Sequence, residues 1–172
     1  MSYNVNQVAN WLIEKANNTD NGDSITNLKL QKLLYYMQGY YLAVFGKPLF
    51  EEDIEAWQYG PVVPKSYDKF STYGKGVLVP TSEGVASFKE EEEELLNEVF
   101  EVYNDYSAVG LMHKTHNEPT WKETPIGKGS VISKEKMSKY FATKIGEDRG
   151  VYSKENTRGV ILFQTFTDLC FL

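Results

Sequence analysis

The chain of 172 residues carries a formal charge of −6 at pH 7, with 24 acidic against 18 basic side chains. Nucleic-acid binding relies on Lys and Arg to neutralise phosphates, so this balance, with no basic cluster to offset it, predicts no nucleic-acid partner. The single cysteine, Cys170, cannot form an internal bridge and sits in no redox or ligand spacing, which predicts a reducing, cytoplasmic setting. The N-terminal stretch MSYNVNQVAN lacks the basic segment and apolar run of a signal peptide, and no window holds eighteen uncharged apolar residues. Neither export nor membrane association is expected.

In chain order, Val8, Trp11, Leu12 and Ala16 share one helical face, and the polar run from Asn17 to Gly22 ends that helix. Thr26 caps a second helix with the apolar stripe Leu30, Leu33, Leu34, Met37, Tyr41 and Val44, which Gly46 and Pro48 close. Tyr35, Tyr36 and Tyr40 flank that stripe. A helix apolar around most of its circumference is usually enclosed by other elements, so this one is expected at the centre of the core. Its tyrosines admit two readings, as core residues with satisfied hydroxyls or as a stripe that binds a partner.

Residues 54–59 alternate bulky and other side chains before Gly60-Pro61, which predicts a short strand or extended turn. Pro64 suits the first turn of a helix to Phe70, followed by a loop to Gly84. Five glutamates at 90–94 run straight into the stripe Leu95, Val99, Val102 and Tyr106. Acidic groups favour the positive end of the helix dipole, so the run reads as a solvated helix start. Ser107 caps a short helix ended by Asn117-Glu118-Pro119, and Ser133 caps another that carries Met137, Tyr140, Phe141 and Ile145 and stops at Gly146. The predicted class is mainly α with a small extended or β element. Beyond it, the apolar segments 160–163 and 166–172 read as a last element or an exposed tail.

Catalytic patterns are sparse. His113 and His116 share a helical face, but two ligands fall short of a stable metal site, so no metal is expected. His116 and Trp121 read instead as parts of a turn, the imidazole bonded to backbone and the indole anchoring the loop. No serine sits in a nucleophile elbow, and phosphate-binding glycine motifs are absent. The expectation is a binding protein without cofactor, not an enzyme. An enzyme with an unrecognised site would show a deep pocket with a metal or perturbed acid near the histidines.

The segments Leu28-Lys29-Leu30-Gln31-Lys32-Leu33-Leu34-Tyr35-Tyr36, Lys47-Pro48-Leu49-Phe50, Glu55-Ala56-Trp57 and Tyr59-Gly60-Pro61-Val62-Val63-Pro64 follow one another in order. Together they resemble the signature of the Panacea domain, the family that includes SocA-like antitoxins. Thr115-His116 with Pro119 and Trp121 is similar to its later motif, although here Thr120 separates Pro119 from Trp121. The resemblance covers roughly residues 5–145, placing a domain at 1–146 and an extension at 147–172. It implies a compact helical domain of bacteria and their phages, often encoded beside a toxin that it neutralises by direct contact.

The expected partner is thus a protein toxin encoded by the neighbouring gene, with a host protease or adaptor as a second. A phage-encoded protein that inhibits another host factor is the alternative, since both roles need only an interface. For that interface the expected residues are Lys29, Lys32, Tyr36 and Tyr40, which fall on one side of the second helix, together with Trp57 and Tyr59 of the following turn.

Overall fold

Side-chain caps fix where the helices begin. Asn4 accepts from the Asn6 N–H at 2.9 Å, Thr26 from Lys29 at 3.4 Å and Ser107 from Gly110 at 3.0 Å, each satisfying a donor that the first turn leaves open. In the computed structural model, which describes residues 2–19 and 25–147, these caps start α1 (Val5–Asn17), α2 (Asn27–Phe45) and α5 (Ala108–His116). Between and after them lie β1 (Glu55–Trp57), β2 (Gly60–Val62), α3 (Pro64–Phe70), α4 (Glu90–Asn104), α6 (Pro119–Lys122) and α7 (Lys134–Glu147). The segments 160–163 and 166–172, and Cys170, lie outside the described residues.

The class is mainly α with one antiparallel hairpin, as predicted. Four details differ from the sequence reading or add to it. Gly60-Pro61 does not end the extended element but opens its second strand, with Ala56 opposite Pro61 and Trp57 opposite Gly60. Pro61 is tolerated because its missing N–H faces no ladder partner there. Pro119 starts a one-turn helix, since a proline at the first helical position gives up no intrahelical bond. Helix α7 runs one residue past Gly146, and Tyr106 stands beyond the end of α4.

Helix α2 is enclosed. Fifteen of its 19 residues are buried, which no single apolar stripe could account for, and it packs against α1, α3, α4, α5, α7 and β2. Its contact with α7 is close enough that a Cβ on Gly39 would meet the Phe141 ring at 2.2 Å. Strand β1 is flanked on its other side by the segment before α7: Ala56 donates to Ser130 and Ile132 to Ile54, both at 2.8 Å. Among the described residues no helix is long and apolar enough to cross a membrane.

Candidate functional site

The line expected as a free face of α2 is covered from within the chain. Lys29, Lys32, Tyr36 and Tyr40 are 3%, 0%, 0% and 6% exposed. Lys29 donates to the Asn104 carbonyl at 2.6 Å, at the C-terminal end of α4, where a cation complements the helix dipole. Tyr36 stacks on Tyr103 of the same helix, with ring centroids 3.7 Å apart, and the Tyr40 and Tyr103 hydroxyls lie 2.9 Å apart. Lys32 turns to the hairpin and donates to the Pro61 carbonyl at 2.9 Å. This side of α2 therefore meets α4 and β2, with Phe141 of α7 against both tyrosines.

Two of the expected residues do reach the surface. Tyr59, at the turn between the strands, is 61% exposed, and Trp57 is half-buried. The Trp57 indole donates to Glu55 at 2.7 Å, meets Tyr67 edge-on at 5.1 Å and lies under the Lys128 ammonium at 5.2 Å. Ile126 and Val131, on the segment that pairs with β1, are exposed as well. Sequence reading missed both, because their place beside Trp57 depends on a pairing of residues some seventy positions apart.

The turn is held from below by α2, α5 and α6. Gln31 accepts from the Val63 N–H at 3.0 Å beside the Lys32 bond, so two adjacent side chains of α2 hold the backbone of β2 and the residue after it. Trp121 donates to the Trp57 carbonyl at 3.1 Å, in the anchoring role expected of it. His116 stacks on Trp121 at 4.0 Å; burial, then the charges of Lys32 and His113, lower its pKa, while contact with the Gln58 backbone acts the other way. His113 faces solvent. Among the described residues no group of three His, Cys, Asp or Glu is placed to hold a metal ion.

Beneath this lies a carboxylate that the spacing of motifs did not single out for this role. Glu118, 6% exposed, accepts from the Tyr35 hydroxyl at 2.7 Å and from Tyr36 at 2.8 Å, and Tyr35 also bonds Thr120. Burial raises the Glu118 pKa, and the two phenols offset only part of that; the same burial, with the carboxylate beside them, raises both tyrosines. The cluster thus joins adjacent tyrosines of α2 to the cap of α6, and so supports Trp121 and the hairpin from inside.

The family model described as antitoxin SocA-like, Panacea domain, matches residues 30–122, which run from α2 through the hairpin to α6. A curated protein named Antitoxin SocA, from Caulobacter vibrioides (strain NA1000 / CB15N), is 42% identical over 78 residues. That match covers 45% of this chain and 40% of the relative, so the chain spans less than half the length of the curated relative it matches. No solved structure matches. With more than half of its sequence under the family model and with the hairpin, Glu118 and Trp121 all inside the matched span, the chain belongs to the antitoxin SocA-like Panacea-domain family.

Proposed function

We propose that this protein is an antitoxin that neutralises a protein toxin encoded beside it by direct contact, in the cytoplasm and without catalysis, and that the Trp57–Tyr59 turn is part of the contact surface. One observation supports that surface above others. The motif-bearing region hides Tyr35, Tyr36, Tyr40 and Tyr41, yet presents Tyr59 to solvent at 61% exposure. A tyrosine buries a large rigid area with little entropy to lose; the same hairpin carries half-buried Trp57, and the segment paired with β1 carries exposed Ile126 and Val131. A host protease or adaptor that removes the antitoxin is a second partner in this reading.

The experiment is co-expression with the neighbouring gene product, scored by growth rescue and by co-purification. The wild type is expected to rescue and to purify as a complex. Tyr59→Ala is expected to weaken binding by about tenfold or more, in the range of an aromatic contact residue, with thermal stability unchanged. Full binding by Tyr59→Ala combined with Val131→Asp would move the interface elsewhere. Failure of the wild type to bind or rescue would replace the antitoxin reading with that of a phage-encoded inhibitor of another host factor.

A further inference from the structure

Lys32 is fully buried, and its amine has one acceptor, the Pro61 carbonyl. Among the described residues no carboxylate pairs with it. The charged and titratable groups on the surrounding elements are committed elsewhere: Lys29 to Asn104, Tyr35 and Tyr36 to Glu118, and Glu55 to the Trp57 indole and the Gly129 N–H. On α5, Lys114 lies over the rings of Tyr103 and Tyr106 and His113 faces solvent, while His116 stacks on Trp121, keeps a buried Nε2 without a hydrogen-bond partner and feels the charge of Lys32. An unpaired ammonium cannot be held in such a place cheaply, and burial alone lowers the Lys32 pKa from 10.5 to about 7.

The hairpin is fitted to this amine. Gly60 has φ of +98°, and a Cβ there would come within 2.7 Å of Lys32 Cε and 2.8 Å of Thr115 Oγ1. Only a glycine lets the turn approach so near. The Lys32 bond and the Gln31 bond to Val63 both tie α2 to this stretch of backbone. The strand lies over a fully buried amine, and lifting it would open that amine to water.

We propose that Lys32 is a proton-gated tether: uncharged, it holds the Pro61 carbonyl and seats the Trp57–Tyr59 turn on α2, and on taking up a proton it favours the lifted turn. The tether is a property of the fold and stands apart from what the turn binds. In the lifted form the amine is solvated and ordinary, so that form holds one more proton between about pH 7 and 10.5. Lifting therefore becomes easier as pH falls through that window and levels off below about 7. His116, lowered from 6.5, titrates below the window and the buried tyrosines above it.

Hydrogen exchange of the full chain, corrected for intrinsic rates, tests this without any partner. Protection of amides in residues 55–63, taken relative to the α2 amides, is expected to rise about tenfold from about pH 7.5 to 8.5 in the wild type and to stay level in Lys32→Met. The variant also separates Lys32 from every other group that titrates in this range. An unchanged ratio in the wild type, or the same rise in Lys32→Met, overturns the tether. Should Lys32→Met fail to fold, carbon NMR of labelled lysine in the wild type decides: one Cε resonance with a midpoint near pH 7 supports the proposal, and ordinary midpoints for all lysines overturn it. Loss of toxin binding in Tyr59→Ala bears on the interface and leaves this result untouched.

Discussion

Two buried glutamates, each gripped by two tyrosine hydroxyls, are shifted in opposite directions. Glu118 lies in the interior between α2 and α6, where Tyr35 and Tyr36 are its donors, and burial leaves its pKa raised. Glu92, in the first turn of α4, accepts from Tyr3, from Tyr41 at 2.6 Å, from Lys47 at 3.1 Å and from the Lys89 N–H at 3.4 Å. Burial pushes its pKa up too, but these donors outweigh it and hold the carboxylate at about 2. Two phenols satisfy a carboxylate's geometry without cancelling the cost of its charge. An ammonium and the open end of a helix, added to them, do cancel it.

The largest expected effect comes from emptying the interior site. Glu118→Ala leaves the Tyr36 hydroxyl with no acceptor and strips Tyr35 of one of two, so urea unfolding should show a loss of about 3–5 kcal/mol. Glu118→Gln keeps an acceptor oxygen and the volume, and should cost under about 1 kcal/mol at pH 7. Equal losses for Ala and Gln would mean that volume, not the hydroxyl acceptor, is what this site supplies.

Next is the pH dependence, whose sign differs between the two sites. The folded Glu92 pKa lies below its unfolded value of 4.5, so its contribution is present above pH 4.5 and is lost as pH falls toward about 2. That drop amounts to about 3 kcal/mol, at 1.36 kcal/mol per unit. Glu118, raised when folded, contributes in the other direction: its share is full below pH 4.5 and fades as pH rises through the folded value. Stability measured from pH 7 down to 2 should therefore lose the Glu92 part of its slope below pH 4.5 in Glu92→Gln, while Glu118→Gln should leave that slope unchanged and remove the gain that the wild type shows as pH falls toward 4.5. A Glu92→Gln curve that matches the wild type would break the contrast.

At neutral pH, Glu92→Gln should itself cost about 2 kcal/mol, more than Glu118→Gln, because the amide gives up a charge-assisted bond to Lys47 and a charge at the helix start. The smallest effect is that of Lys47→Met. The lysine side chain is 42% exposed, so solvent screens the pair and its loss should cost about 1 kcal/mol or less. A larger loss from Lys47→Met than from Glu92→Gln would show that the tyrosines, left alone, hold this carboxylate no better than they hold Glu118.

Much of the frame was legible in local patterns. Thr26 and Ser107 announced helix starts because a hydroxyl before an apolar stripe has a donor to satisfy within three residues. The glutamate run before Leu95 announced α4 in the same way, and ordered motifs such as those around Gln31, Trp57 and Gly60 pointed to the family. All of these are relations among near neighbours. Even the enclosure of α2 was readable, since its apolar residues covered most of its circumference.

The exposure of individual polar and aromatic side chains could not be read in that way. Lys29, Lys32, Tyr36 and Tyr40 looked like a surface line, but the carbonyls of Asn104 and Pro61 and the ring of Tyr103 supply the partners that let them go inside. Tyr59, of the same type as Tyr36, stays outside because the tight turn at Gly60 carries it past the end of the hairpin. Glu92 and Glu118 meet their tyrosines across 51 to 89 residues of chain. The sequence by itself determined the longer helices, the caps at Thr26 and Ser107 and the family, since those depend on spacing within a few residues. Only the tertiary structure decided which polar groups are buried, how they are charged and what remains to face a partner, because a buried polar group is tolerated only where an element distant in sequence supplies its hydrogen bond.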